Sequence, residues 1–328
     1  MSKGTYKFDD HAQATQNRAS LGREQIFTST NLDPLLDPRY KRFRECLQVP
    51  PYEHARPVKI DLDLTGSMST IPEFLVKNAD RGLPGMVKGL YPFLTHPQLC
   101  FCGIGDARNY RVEPAPFQFG HFEGEGHKMD QWLTKFWSGG VDGGGNGGES
   151  YELGLFGAAR MVSVDAFAHG QKGFHFIIAD DNLFPDVRAM DVRRVCGVDI
   201  GDDLPVEQLI AELQSDWHTF IIAPDQNRFR DVACNWHRYF GDNALAADTH
   251  HDVTVLICGL VGLAEGTLTD LGEFDQLMAE MFGREPAERG RVLARLEAYA
   301  ATLNKAGDRR EADADARPES RESGNERV

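Results

Sequence analysis

Almost wholly apolar runs of strand length, separated by helical stretches, constrain the fold of this chain more than any other feature of its sequence. Residues 174–179 and 219–223 are runs of this kind, with little polar alternation. Such runs are typical of parallel strands that helices cover on both faces. The pattern predicts an α/β fold with a doubly wound, mostly parallel central sheet of about six strands flanked by helices. The expected strands lie at residues 58–64, 99–104, 117–122, 174–179, 219–223 and 253–258.

Composition divides the chain into an arm, one domain and a tail. Residues 1–55 are polar, and Asp-Pro steps at Asp33 and Asp37 interrupt any helix, so we expect an irregular N-terminal arm. Residues 56–305 carry the alternating strand and helix pattern and form the expected single domain. Residues 306–328 are charged and almost without apolar side chains, which predicts a disordered tail.

Charge and hydropathy narrow the range of partners. The chain has 50 Asp and Glu residues against 35 Lys and Arg, and a net charge of −15 repels a phosphate backbone, so we expect no nucleic-acid partner. No apolar run approaches the roughly 18 to 20 residues that cross a bilayer, and the first residues lack the apolar stretch of a secretory signal. Six cysteines in a chain of this length make no disulfide framework. We therefore expect a cytoplasmic protein that does not engage membranes.

The segment 58–69 carries the main functional signal. An apolar strand there runs into Asp63, Thr65 and Ser67, which place side-chain oxygens at alternate positions. Ligands bind at the carboxyl ends of the strands in an open α/β sheet, and oxygen donors suit a hard cation. These residues resemble the Asp-x-Ser-x-Ser metal-ion-dependent adhesion site of von Willebrand factor A domains, with Thr65 in the first Ser position and Met68 after the second.

The resemblance covers about residues 56–282 and implies two further metal ligands. The family takes one, usually a Thr, from a glycine-rich loop before its third major helix, and an Asp from the end of its fourth strand. The loop at residues 143–150 places Glu149 at the Thr position, and the strand at 174–179 ends at Asp180. Oxygen donors without His or Cys imply Mg²⁺, or Mn²⁺ or Ca²⁺ in its place. The implied ligands are Asp63, Thr65, Ser67, Glu149 and Asp180.

A finer similarity is to bacterial and phage members of the family that act inside cells. Those members carry Arg-Glu before the first strand and Gly-Ile-Gly-Asp after the second, matched here by Arg44-Glu45 and by residues 103–106. The resemblance implies a metal-dependent protein-interaction module rather than an enzyme. It also implies an adaptor role, with an AAA ATPase or a stress or defence system as the partner, and a carboxylate of that partner as an additional metal ligand.

Glu149 departs from the family pattern and changes the charge of the implied site. Three ionised carboxylates, those of Asp63, Glu149 and Asp180, outweigh the charge of a divalent ion. Two interpretations remain open. Glu149 fills the position of the partner's carboxylate and leaves a structural metal, or it swings out when a partner binds.

The same segment permits an alternative interpretation as an enzyme. Residues 61–65 spell the Asp-x-Asp-x-Thr motif that opens haloacid-dehalogenase-type phosphohydrolases. In that alternative Asp61 attacks the phosphoryl group, Asp63 acts as acid and base, and Mg²⁺ shields the phosphate charge. Strand alternation places both aspartates on the same side, so this pattern alone does not choose between the two functions. We prefer the adhesion-site interpretation because the glycine-rich loop has a role only there.

Overall fold

The fold is that of a computed structural model. It describes residues 6–109, 111, 113–140 and 147–315, except the side chains of residues 67 and 304–315. The strands are β1 (Arg44–Cys46), β2 (Ala55–Asp63), β3 (His96–Ile104), β4 (Phe117–Phe119), β5 (Val162–Val164), β6 (Gly173–Ile178), β7 (Asp186–Val187), β8 (Leu204–Pro205), β9 (Trp217–Ala223) and β10 (Ala244–Ala246). The helices are α1 (Phe8–Ala19), α2 (Arg23–Ile26), α3 (Thr70–Lys77), α4 (Leu83–Leu90), α5 (Gly126–Thr134), α6 (Tyr151–Arg160), α7 (Asp165–Ala168), α8 (Ala189–Cys196), α9 (Val206–Leu213), α10 (Gln226–Phe240), α11 (Val253–Ala264), α12 (Leu271–Phe282) and α13 (Pro286–Asp315).

The central sheet confirms the predicted α/β fold class. Its six strands lie in the order β10-β9-β6-β2-β3-β4. Every neighbouring pair is parallel except β3 with β4, which is antiparallel. Two further pairs, β1 with β5 and β7 with β8, form small two-stranded sheets outside the central one. Because five neighbouring strands run the same way, their carboxyl ends meet at one edge of the sheet.

Strand β2 lies in the middle of the sheet and divides its side chains between two cores. Val58, Ile60 and Leu62 are buried in the hydrophobic cluster on one face. The alternate residues Lys59 and Asp61 point to the other face and are also buried, although both are charged. Helices α3, α4 and α11 pack on the first face, and α6, α9 and α10 supply apolar residues to the second.

The sixth strand is not where the sequence placed it. Residues 253–258, predicted as a strand, belong to helix α11, and the sheet is instead completed by β10 (Ala244–Ala246). Helix α11 is buried over almost its whole length and contacts α4 and α13. A helix that is buried on every side loses the polar face that marks helical periodicity, so its sequence is indistinguishable from that of a buried strand.

The N-terminal arm is more regular than predicted. Helix α1 packs against α3 and α4, and its buried residues include His11 and Thr15. Asp130 of α5 ties this helix to the domain, because it accepts hydrogen bonds from His11 Nε2 at 3.1 Å and from Arg18 Nη2 at 2.6 Å. The guanidinium of Arg44 holds the end of the arm by donating to backbone carbonyls of β4 and of the segment after it. The expectation of an irregular arm was therefore wrong for α1 and α2, whereas most of residues 27–43 lies outside helices and strands.

The C-terminal helix runs beyond its expected end. Helix α13 continues from Pro286 to Asp315, past residue 306, where the charged tail was predicted to begin. The rest of the predicted tail, residues 316–328, lies outside the described residues. Among the helices that the structure describes, none is both long enough and apolar enough to cross a membrane.

Candidate metal site

Four of the predicted ligands, Asp63, Thr65, Glu149 and Asp180, lie at or just beyond the carboxyl edge of the central sheet. Asp63 is the last residue of β2, and Asp180 follows the end of β6, the strand paired with β2. Gly66 turns the chain after Thr65 into a short 3-10 turn with a positive φ of 40°, a backbone conformation that L side chains rarely adopt. Ser67 lies within this turn, but its side chain lies outside the described part of the structure.

The carboxylate of Asp63 is held by three hydrogen bonds. Its Oδ1 accepts from the backbone N–H of Thr65 at 2.7 Å and from Thr65 Oγ1 at 2.6 Å. Its Oδ2 accepts from the hydroxyl of Tyr151, the first residue of α6, at 2.5 Å. The same hydroxyl accepts from the backbone N–H of Asp181 at 3.2 Å. Tyr151 therefore links the end of β2 to the segment after β6.

The segment before α6 is locked between the loops that follow β3 and β6. The backbone N–H of Glu149 donates to the carbonyl of Asn182 at 3.1 Å, and that of Ser150 donates to the carbonyl of Gly105 at 3.0 Å. The hydroxyl oxygen of Ser150 also accepts from the N–H of Ala107 at 2.9 Å. These bonds fix the backbone of Glu149 at the same edge as Asp63 and Asp180.

The carboxylates at this edge raise one another's pKa. Burial, and then the charge of Asp180, raise the pKa of Asp63 from 3.8 to about 7. Burial, followed by the charges of Asp63, Glu113 and Asp106, raises the pKa of Glu149 from 4.5 to about 10. Glu149 is only 3% exposed, and its Oε2 has no hydrogen-bond partner among the described residues. The edge is therefore a carboxylate cluster with too little positive charge to compensate it.

Arg228, on helix α10, contributes positive charge beside this cluster. Its Nη1 lies 3.3 Å from Asp180 Oδ2 and 3.1 Å from the sulfur of Met68. Its Nε lies 3.3 Å from Asp225 Oδ2. The guanidinium thus neutralises part of the charge of Asp180 and leaves the buried carboxyl of Glu149 uncompensated.

The donor chemistry fits a hard divalent cation. Carboxylate and hydroxyl oxygens of Asp63, Thr65, Glu149 and Asp180 are ligands that Mg²⁺, Mn²⁺ and Ca²⁺ prefer. As these side chains stand, no three His, Cys, Asp or Glu residues in the described ranges are arranged to hold a metal ion. The implied set also draws on the hydroxyls of Thr65 and Ser67. Glu149 Oε2 is buried and lacks a partner within the described residues, so a cation would stabilise this atom more than the others.

Sequence reasoning missed two residues that contact this set directly. Tyr151 follows the glycine-rich loop, but an aromatic residue at the start of an apolar helix gives a signal of core packing rather than of a site. Arg228 gives no signal at all, because its contact with Asp180 depends on how α10 packs against β9 and β10. Asp106 and Glu113 belong to the same acidic edge through their charges on Glu149.

Asp61, the nucleophile of the phosphohydrolase alternative, is in a different environment. Its carboxylate pairs with Lys59 Nζ through Oδ1, and its Oδ2 lies 2.7 Å from His175 Nε2. Burial opposes ionisation of Asp61, but the charges of Lys59 and His175 lower its pKa to about 2. All three side chains are 0% exposed, and Lys59 Nζ also donates to the carbonyl of Gly154 at 3.2 Å. A phosphoryl group cannot reach a carboxylate enclosed in this way, which argues against the alternative.

Comparisons with known proteins give weak similarities of fold. No protein-family model matches the sequence, and no curated protein matches it. The solved structure of proximal thread matrix protein 1 from the mussel byssus is 9% identical, with a TM-score of 0.37, over 64% of this chain and 48% of that chain. The pilus adhesin SpaC from Lactobacillus rhamnosus GG, in an open conformation, is 11% identical, with a TM-score of 0.38, over 72% of this chain and 31% of that chain. This chain thus spans less than half the length of either protein, and similarity at this level carries no functional argument.

Proposed function

We propose that this protein binds a divalent cation, Mg²⁺ in the first instance, at the carboxyl edge of its sheet and uses the metal-loaded site to bind another protein. The residues that would hold the ion are Asp63, Thr65, Ser67, Glu149 and Asp180. The observation that carries the proposal is the carboxyl group of Glu149, which is buried at this edge beside Asp63 and leaves Oε2 without a partner among the described residues.

The electrostatics of the edge support a cation. A buried carboxyl group with no compensating charge is unfavourable, and its pKa rises so that it takes up a proton. Asp63 and Glu149 both have raised pKa values, and each is raised in part by a neighbouring carboxylate. A divalent cation removes this repulsion and lets both groups ionise. Binding of the ion therefore releases protons near neutral pH.

The hydrogen bonds around Asp63 support a preorganised binding edge. Thr65 and Tyr151 fix both oxygens of this carboxylate, and Tyr151 also contacts the segment after β6. The ion, when bound, supplies positive charge that attracts a carboxylate of the partner. The chain's own residues orient the ligands and keep the edge rigid.

Glu149 and Arg228 determine how readily a partner protein reaches an ion at this edge. Glu149 competes with a partner's carboxylate for the ion because it is already buried beside Asp63. Arg228 competes with the ion for Asp180, to which it is paired at 3.3 Å. Without a metal, the negative charge of the edge is partly neutralised by Arg228. With the ion bound, a partner must displace Glu149 to reach it.

Calorimetric titration with Mg²⁺ tests the metal part of the proposal. We expect binding by the wild-type protein and at least about tenfold weaker binding by Asp63→Asn, since one charged ligand is lost. Glu280→Gln, an exposed substitution on α12, is the matched control and keeps wild-type affinity. Equal Mg²⁺ affinity in all three proteins, or no affinity in any of them, would remove the metal from the proposed function.

An acidic peptide tests the partner part separately. We expect a peptide rich in Asp and Glu to bind only in the presence of Mg²⁺, and to bind more tightly to Glu149→Thr than to the wild type, since that variant frees the contested position. Asp63→Asn serves as the metal-deficient control. Peptide binding that ignores both chelator and the Glu149→Thr substitution would contradict the interaction role while leaving Mg²⁺ binding intact.

A further inference from the structure

A cavity at the opposite edge of the sheet has the construction of a small-molecule site. It has a volume of about 530 Å³ and lies where strand β3 begins, at His96. The carboxylate cluster lies at the other ends of the same strands, so this cavity is separate from the metal site. Cavities of this size, lined by rings with a few polar groups, are typical of small-ligand sites. Its walls come from the start of α1, the loop before β2, the end of α4 and the end of α12.

Aromatic rings form most of the walls. The rings of Tyr6 and Tyr91 lie 5.9 Å apart at an interplanar angle of 30°, and those of Tyr52 and His96 lie 5.7 Å apart nearly at right angles. Offset and edge-on arrangements of this kind present both faces and edges of rings to a planar ligand. The shape therefore favours an aromatic ligand over a branched aliphatic one.

Two polar atoms in these walls have no partner among the described residues. They are the hydroxyl of Tyr52 and Nδ1 of His96, both buried. Tyr52 as a whole is only 5% exposed, so its hydroxyl is removed from water without a hydrogen bond. An unpaired buried polar group costs free energy that a ligand's hydrogen bond recovers. Burial, and then Tyr52, raise the pKa of Tyr91 to about 12, so its phenol is neutral at neutral pH.

Lys88 lines the cavity and contributes a positive charge to it. Its ammonium lies 4.5 Å from the centre of the Phe8 ring, and it forms no ion pair or hydrogen bond with any residue that the structure describes. By contrast, Lys77 and Lys128 pair with nearby glutamates. In a chain with an excess of acidic residues, a lysine without a carboxylate partner in an aromatic pocket would complement a negatively charged ligand.

We propose that this cavity binds a small planar aromatic carboxylate. Its ring packs against the rings of Tyr6, Tyr52 and Tyr91, and its carboxylate pairs with Lys88. The Tyr52 hydroxyl or His96 Nδ1, both buried in the free protein, turns to hydrogen-bond to a polar atom of the ligand. The proposal is independent of the proposed metal-dependent function, because the two sites lie at opposite edges of the sheet and share no residue.

Three naphthalene probes of nearly equal size and different charge test the proposal on the wild-type protein. They are 2-naphthoate, 2-naphthylmethanol and 2-naphthylmethylammonium, and calorimetry reports their binding. We expect the carboxylate to bind at least about tenfold more tightly than the alcohol, and the ammonium compound to bind least. Equal affinity for the three probes, or no binding by any at concentrations up to about 1 mM, would overturn the proposal.

Substitutions locate the binding within this cavity. Lys88→Met should abolish the preference for naphthoate over the alcohol, and Tyr91→Ala should weaken both ligands. The matched controls are Lys41→Met and Tyr40→Ala, which lie outside the cavity, and Tyr40 is 60% exposed. Asp63→Asn should leave naphthoate binding unchanged. If Lys88→Met keeps the charge preference, or if Tyr40→Ala weakens binding as much as Tyr91→Ala, the probe binds elsewhere and the assignment is wrong.

Discussion

Replacing Lys59 by Met tests how the charged residues inside the sheet are stabilised. Lys59 and Asp61 are both 0% exposed and form an ion pair on the face of β2 that packs under α6. The substitution keeps the length of the side chain but removes its charge and leaves the carboxylate of Asp61 buried. Of its side-chain partners among the described residues, His175 then remains, at 2.7 Å.

The expected cost follows from the burial of the pair. Removing one partner of a fully buried ion pair costs about 3 to 5 kcal/mol, because the other charge stays behind without compensation. A surface pair such as Lys77 with Glu73, whose side chains are 24% and 28% exposed, contributes only about 0.2 to 1 kcal/mol. Lys59→Met should therefore lower the free energy of unfolding several times more than Lys77→Met.

The loss should also depend on pH, through His175. In the wild type, burial and then the charge of Lys59 lower the pKa of His175. Without Lys59, the carboxylate of Asp61 favours the protonated ring, so the pKa of His175 should be higher in the variant than in the wild type. A histidine whose folded pKa is lowered costs stability as pH falls below the unfolded value of about 6.5, and this cost is smaller in the variant. Lys59→Met should therefore be less destabilising near pH 6 than near pH 8.

Urea unfolding followed by circular dichroism at several pH values measures these effects. The double variant Lys59→Met/Asp61→Leu removes both charges and should recover most of the lost stability, since no charge is then buried alone. A cost below about 1 kcal/mol for Lys59→Met at pH 8 would refute this account of the ion pair. A double variant no more stable than the single one would refute it as well.

Three further predictions concern the elements around the site. Gly154→Ala should destabilise the protein by about 1 to 3 kcal/mol in urea unfolding, because the added Cβ would collide with the carboxylate of Asp61. Trp236→Phe should lower the free energy of unfolding by about 1 to 3 kcal/mol in the same assay, because it removes the 2.9 Å hydrogen bond from the indole N–H to the backbone carbonyl of Asp181. Arg228→Met should raise the Mg²⁺ affinity measured by calorimetry at least about fivefold, because it removes the cation that competes for Asp180; lower affinity would contradict this role of the arginine.

The sequence predicted the sheet where strands have an unambiguous pattern. The runs around β2, β3, β6 and β9 were correctly assigned because each is short, buried and bounded by turns. Helix α11 was assigned as a strand because burial on every side removed its helical period. Helix α1 was missed for the opposite reason, since its buried positions include His11 and Thr15, polar residues that leave no apolar stripe.

The candidate site was predictable to the extent that strand ends determine it. Asp63 and Asp180 follow neighbouring parallel strands, so their proximity follows from the sheet order. Placing Glu149 beside them required the family resemblance, because nothing in local periodicity fixes where a glycine-rich loop returns. Tyr151 and Arg228 act through side-chain contacts between distant elements, and one sequence contains no information on such contacts.

The position of a bound ion shows whether the carboxyl edge of the sheet holds a metal. Crystals of the protein grown with Mn²⁺, and recorded at a wavelength where manganese scatters anomalously, locate the ion without reference to any assumed ligand. We expect one anomalous peak at the carboxyl edge of the sheet, in contact with oxygen atoms of Asp63, Thr65 or Asp180. A peak only elsewhere on the molecule, or none at a saturating Mn²⁺ concentration, would contradict this expectation.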